Sequence, residues 1–244
     1  MNIMIYKNEL TLDFYDTNAR NEVTLTALLK RINLAAGANA LEIGVSMQDT
    51  LQWGLTFVLE RFAVTIFEYP QYMQTATIRT WPAEIARGVF RRNGDMWHKD
   101  KKIAEWTALW VLIDINERKV KRPKALPITL PAYGLLDVST ETTKIVVPVE
   151  ASIIASYSHI VRFSDLDANN HMNSAIYGDL ISNLLETAHI NSAGYRFVNL
   201  NYFNEAKLND EIKVECRQLK NTLYISGNTE KYQVFAALLE FPNL

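Results

Sequence analysis

The chain has 244 residues, 48% of them apolar and 21% charged, with 9 Gly and 7 Pro. That balance suits one large globular domain or two small ones, and it excludes disordered, collagen-like and low-complexity classes. Twenty-five basic against 27 acidic side chains leave a net charge of −2, which argues against a nucleic-acid partner, because such proteins are normally strongly basic.

Cys216 is the only cysteine. No intramolecular disulfide and no zinc site built on several cysteines can form, and the chain suits a reducing compartment. The apolar stretch at residues 1–7 is too short for a signal segment, and no run approaches the 18 apolar residues of a membrane span. A cytoplasmic location without a membrane span is therefore expected.

An extended segment is expected at residues 9–14. Leu25, Leu28, Leu29, Ile32 and Ala36 then recur at helical spacing behind Thr24, a suitable N-cap. Strands are expected at 56–69, 74–81, 88–98 and 103–116, with Gly94-Asp95 at a turn. Four of the seven prolines (Pro123, Pro127, Pro131 and Pro148) crowd the next stretch, so regular structure should not run through it. The pattern divides the chain into a first domain at 1–125, a linker at 126–148 and a second domain at 149–244.

The second half repeats the first. An extended segment at 156–163 precedes a run of Ile176, Leu180, Leu184 and Ala188 at intervals of four, with Asn173 or Ser174 as cap. Strands follow at 197–203, 211–218, 222–228 and 233–241, with Gly227-Asn228 at a turn. Each half reads as one long helix against an antiparallel sheet, an α+β layer. Charge divides as well. Residues 1–130 hold 17 basic and 14 acidic side chains, residues 131–244 hold 8 and 13. Part of the basic excess lies at 118–124, either a solvated connector or a docking patch for an acidic partner.

The densest chemistry is in Phe163-Ser164-Asp165-Leu166-Asp167-Ala168-Asn169-Asn170-His171-Met172-Asn173. Asp167, Asn169 and His171 lie two apart and would share a side in an extended loop. The helix start behind them would offer backbone N–H groups to an oxyanion. Asp and Asn in such places also serve as caps and turn formers. His98, His159 and His189 have no comparable company, and His189 reads as a helix-end residue. His171 has no second His or Cys at ligand spacing, so neither metal nor cofactor is expected.

The Asp-Leu-Asp-x-Asn-x-His-x-Asn stretch, followed by Tyr177, resembles the signature of the acyl-acyl carrier protein thioesterases. Leu200-Asn201-Tyr202-Phe203-Asn204-Glu205-Ala206 is similar to a second block of that family, and so are Trp106–Asp114 and the basic segment after it. The resemblance covers nearly the whole chain. It implies two tandem hotdog domains, each a long helix wrapped by an antiparallel sheet. It also implies a fatty acyl-acyl carrier protein as substrate and partner, with release of free fatty acid. The missing transit peptide resembles the prokaryotic members.

The cysteine once assigned as the family's nucleophile is Ala206 here, and Cys216 reads as a small core residue. The resemblance therefore implies direct attack by water with Glu205 as base. Asn169 and His171 would hold the water or polarise the carbonyl, and Asp167 would orient a neighbour. The first half carries Asn18, Arg20 and Glu22 in the equivalent places, so it is expected to shape the acyl pocket, with Trp53, Phe57, Phe62 and Phe67 as candidate lining. An acyl-coenzyme A thioesterase of the same fold and a silent acyl-binding module are the alternatives, and a homodimer is compatible with the fold.

Overall fold

In the first half, β1 (Tyr6–Thr11) leads through a 3-10 turn at Phe14–Asp16 into α1 (Leu25–Glu42). A short α2 (Met47–Gln52) follows, then β2 (Leu55–Ile66), β3 (Thr75–Ala86), β4 (Val89–His98), β5 (Lys101–Asp114) and β6 (Lys119–Lys121). The second half runs β7 (Ser152–Ile160), a 3-10 turn at Phe163–Asp165, α3 (Tyr177–Thr187), β8 (Phe197–Tyr202), β9 (Glu211–Leu219), β10 (Thr222–Asn228) and β11 (Gln233–Glu240). This computed structural model describes residues 5–131 and 138–244, so part of the proline-rich stretch, 132–137, lies outside the described residues.

The strands form one antiparallel sheet in the order β1-β3-β4-β5-β2-β8-β11-β10-β9-β7, with β6 added beside β5. Read inward from either edge, the order is the same for both halves. An approximate twofold axis therefore passes through the β2–β8 pair, where Ala63 faces Asn199. Two hotdog layers joined edge to edge in this way bear out the expected α+β architecture.

The helices follow from their sequences, with one correction. Thr24 caps α1, its hydroxyl accepting the Ala27 N–H at 3.0 Å, and the stripe Leu25, Leu28, Leu29, Ile32 and Ala36 is buried. The second helix is shorter than its periodicity suggests: α3 has 11 residues, and Ile176 and Ala188 fall at its caps. Neither Asn173 nor Ser174 caps it. Asn173 instead accepts the Ala175 N–H at 2.9 Å and closes a turn ahead of the helix. The two helices meet at their N-termini. A Cβ on Gly178 would lie 2.6 Å from the Thr26 backbone, and the Thr26 hydroxyl donates to Asp179 at 2.5 Å. That carboxylate suits the positive ends of both helices. Leu28, Ile32, Phe62, Trp106, Leu180, Leu184 and Phe235 belong to one core that runs through both halves.

Other boundaries shift for local reasons. β1 and β7 end earlier than expected, because Phe14 and Phe163 already enter 3-10 turns. Helix α2 and strand β6 were not expected. Ser46 and Asp49 form a capping box on α2, a signal present in the sequence. Gly94-Asp95 is not a turn but lies inside β4, with Gly94 opposite Trp106. Gly227 likewise sits in β10 opposite Phe235, and Asn228 follows at a register shift that ends the strand.

The described part of the proline-rich stretch is irregular apart from one 3-10 turn at Pro123–Ala125, yet it is tied to the sheet. Glu105 accepts the Ser139 N–H at 2.9 Å, the Ser139 hydroxyl at 2.5 Å and the Thr140 N–H at 3.0 Å. Burial opposes ionisation of Glu105, but hydrogen bonds from Ser139, Lys102 and Thr140 hold its carboxyl below its ordinary range. Further on, the Thr143 carbonyl accepts from Asn199 at 2.9 Å and Asn201 at 3.0 Å. No helix among the described residues is long and apolar enough to cross a membrane.

Candidate active site

The loop between β7 and α3 is a tight turn rather than an extended strand. Leu166 and Met172 pair across it, the Asp167 N–H donates to the His171 carbonyl at 3.0 Å, and Asn170 takes φ +59°, a conformation Asn tolerates. Asp167 is part of the scaffold, because its carboxylate accepts the Asn169 N–H at 2.8 Å. That same Oδ1 lies 3.9 Å from His171 Nδ1. The turn brings Asp167 and His171 together, while Asn169 lines a cavity.

The second block arrives from the end of β8. The Met172 N–H donates to the Ala206 carbonyl at 2.8 Å, which locks the two segments together and sets Glu205 beside the imidazole. Glu205 Oε1 is 3.9 Å from His171 Nε2. His171 therefore stands between two carboxylates, out of direct hydrogen-bond range of either. Such contacts often tighten only when substrate binds. Tyr177 packs edge-on to Tyr202 at 5.2 Å and to Phe235 at 4.9 Å beneath the site. Burial, followed by the nearby carboxylates Glu205 and Asp167, pushes its phenol up, so it stays neutral.

By sequence Arg118 belongs to the basic segment, away from the site. Its guanidinium nevertheless donates to Glu205 Oε1 at 2.5 Å, across the boundary between the halves. No local pattern marks it, since the pair is 87 residues apart in the chain. The rest of residues 118–124 is not a free connector either: Lys119–Lys121 form β6, and Lys121 pairs with Asp114 at 3.3 Å and Glu117 at 3.0 Å.

The cavity, about 240 Å³, lies almost wholly in the first half, between α1, α2 and the sheet. Gly37, Ala40, Val45, Phe57, Phe90 and Trp110 are among its apolar lining, and Asn169 is the residue of the β7–α3 loop that reaches it. Among the described residues none hydrogen-bonds the Asn169 side-chain amide. Of the four aromatics expected to line a pocket, only Phe57 does. Phe62 is buried in the main core, Phe67 is about half exposed, and Trp53 packs on a small cluster around Leu55, Phe90, Leu112 and Leu126. Arg92 also reaches the cavity wall. Burial brings its guanidinium down to about 10, so it remains a cation at neutral pH. It donates to Asn39 at 2.8 Å, near the C-terminal end of α1, where positive charge is favoured.

Two expectations need correcting. The start of α3 does not offer oxyanion donors at Gly178 or Asp179, whose N–H groups bond the Ala175 and Ile176 carbonyls. The loop is also not extended, as described above. By contrast, Ala206 and Cys216 are fully buried, and desolvation pushes the Cys216 thiol up to about 12, so no thiolate nucleophile is present. Among the described residues no three His, Cys, Asp or Glu side chains group as a metal site.

The first-half loop has the same backbone. Asn18 N–H donates to the Glu22 carbonyl at 2.9 Å, and Asn21 takes φ +59°. Its side chains are taken up by other contacts: Glu22 Oε2 accepts from Asn18 at 2.9 Å, from Arg20 at 3.3 Å and, in the second half, from Ser192 at 3.1 Å. That loop holds no imidazole and does not line the cavity.

Residues 4–124 match the acyl-ACP thioesterase N-terminal domain and residues 148–237 the acyl-ACP thioesterase C-terminal domain. An acyl-ACP thioesterase from Bacteroides thetaiotaomicron superposes with a TM-score of 0.80 at 21% identity, covering 97% of each chain. A putative oleoyl thioesterase from Lactobacillus plantarum gives 0.79 at 18% identity over 100% of this chain and 98% of the other. The 12:0-ACP thioesterase from Umbellularia californica gives 0.79 at 15% identity over 99% and 98%. At such identities the likeness is one of fold. Among curated proteins, none matches the sequence.

Proposed function

The chain belongs to the acyl-ACP thioesterase family, whose reaction is hydrolysis of the acyl-acyl carrier protein thioester, and on that premise we propose that Asp167, Asn169, His171 and Glu205 form its catalytic group. The observation that carries this reading is the 3.9 Å approach of Glu205 to His171, on a loop whose Asn169 lines the cavity. The acyl chain occupies the first-half cavity and its carbonyl stops at Asn169.

Water attacks that carbonyl, and Glu205 Oε2, which has no partner among the described residues, takes the proton. The unpaired Asn169 amide donates to the developing oxyanion, in a partly enclosed place where such donors are most effective. Glu205 hands that proton to His171, whose Nε2 lies 3.9 Å from the carboxylate, and the imidazole delivers it to the sulfur as the C–S bond breaks, so thiol and free carboxylic acid leave with Glu205 and His171 back in their starting states. Asp167 keeps the imidazole oriented. No acyl-enzyme forms, in keeping with Ala206 and the inert Cys216 thiol.

The same proposal assigns the acyl pocket to residues 1–125, the catalytic group to 149–244 and the connection to 126–148. A cytoplasmic location and a homodimer complete it. The test is thiol release from a series of acyl chain lengths on both acyl carrier protein and coenzyme A. Carrier-bound substrate should be preferred in kcat/KM. Equal or better use of coenzyme A would move the protein to the other substrate class, and no thiol from any thioester would remove the hydrolase reading.

A further inference from the structure

We infer that Arg118 is a positioning residue for the hydrolysis, fixing the Glu205 carboxylate so that Oε2 faces the water. The inference rests on the catalytic reading above. Glu205 has its backbone fixed on both sides: the Phe203 N–H donates to the Val234 carbonyl at 2.9 Å, and the Ala206 carbonyl accepts from Met172 at 2.8 Å. What stays free is the side-chain rotamer, and Glu205 is partly exposed. Arg118 settles it. One oxygen, Oε1, receives the guanidinium at 2.5 Å and faces His171 Nε2 at 3.9 Å. The other oxygen is left unencumbered for proton transfer.

The backbone of Arg118 is itself held in place. It takes φ +55° in the turn between β5 and β6. Its N–H donates to the Asp114 carbonyl at 2.9 Å, and the Asp114 carboxylate accepts the Asn116 and Glu117 N–H groups at 3.0 and 2.9 Å. A rigid turn of the first half thus reaches the base carried by the second. A half-exposed ion pair of this kind adds little to stability, so its effect belongs to geometry at the reacting atoms, where a small displacement is costly in rate.

The experiment compares the parent, Arg118→Ala and Arg118→Lys on two substrates, an acyl-acyl carrier protein and the same acyl group on N-acetylcysteamine. In Arg118→Ala, kcat should fall about tenfold or more on both, with KM within about threefold of the parent. Lysine can supply one charged donor at the same place, so Arg118→Lys should recover most of the loss. A rise in KM confined to the carrier-bound substrate, with kcat kept, would make Arg118 part of a docking surface and overturn the inference. So would a kcat that stays within about threefold or rises in Arg118→Ala, or no recovery in Arg118→Lys. A parent that hydrolyses both substrates while the variants behave in one of these ways defeats this inference alone. A parent that hydrolyses neither defeats the catalytic reading and the inference with it.

Discussion

Cys216 sits in the middle of β9, opposite Ala155 on one neighbouring strand and Ile225 on the other. Its thiol is pushed up to about 12 by loss of solvation, so at neutral pH it is a small core residue. Cys216→Ala should keep kcat within about threefold and cost stability on the order of 1 kcal/mol. Thiol-release kinetics and a urea titration check both, and a loss of activity with the fold intact would reopen a thiolate mechanism. The residues proposed as catalytic differ in how far the sequence reveals them. Asp167, Asn169 and His171 lie in one short loop, so their grouping is legible from residue types alone. Glu205 is 34 positions beyond His171 and is reached only through the family resemblance. Arg118 is invisible from the sequence, because only the tertiary fold brings the β5–β6 turn against the loop after β8. The turn-forming role of Asp167 and its place beside His171 are not competing readings, since one carboxylate serves both.

At the scale of elements, the periodic segments are the legible ones. The α1 stripe and most strands follow directly from polarity, because burial against the sheet is what that periodicity encodes. Gly94-Asp95 misleads for a physical reason. Glycine there answers to crowding, not to turning: a Cβ would lie 2.2 Å from the Trp106 ring. The actual β3–β4 turn is at Arg87 and Gly88, with φ of +52° and +86°, the positive pair that a two-residue hairpin favours. Asp95 is meanwhile fixed in the strand by Arg79 at 2.7 and 2.5 Å. Gly94→Ala should therefore destabilise by about 1–3 kcal/mol through overpacking. The urea midpoint should drop with little change in slope, and an unchanged midpoint would show that the ring moves aside freely. The length of α3 misleads for the opposite reason, since Asn173 closes a separate turn before the helix begins.

In the whole molecule, the halves divide the labour on the proposed reading, although they share one sheet and one core. The first half encloses the cavity, and its own loop is tied up through Glu22, which Asn18, Arg20 and Ser192 reach. The second half supplies the polar group. The sequence suggests both the duplication and the division, since Asn18, Arg20 and Glu22 stand where the second half has its polar set, but not the depth of the pocket, which depends on which side chains face inward across the join. Gly37 makes the division testable. It lines the cavity, and nothing lies within 4 Å of where its Cβ would be. Gly37→Leu should fill that space and move the preferred acyl group to shorter chains, while relieving about 1 kcal/mol of helix cost. A hydrolysis profile across chain lengths reads the effect, and an unchanged profile would mean that the acyl group lies elsewhere.

The decisive measurement is kcat for Glu205→Gln on acyl-acyl carrier protein, with circular dichroism to confirm an intact fold. The amide keeps the size of the side chain and removes its capacity to take a proton from water. Loss of a general base predicts a fall of about 100-fold or more, with KM little changed. A variant that turns over within about threefold of the parent would contradict a carboxylate-activated water at this site.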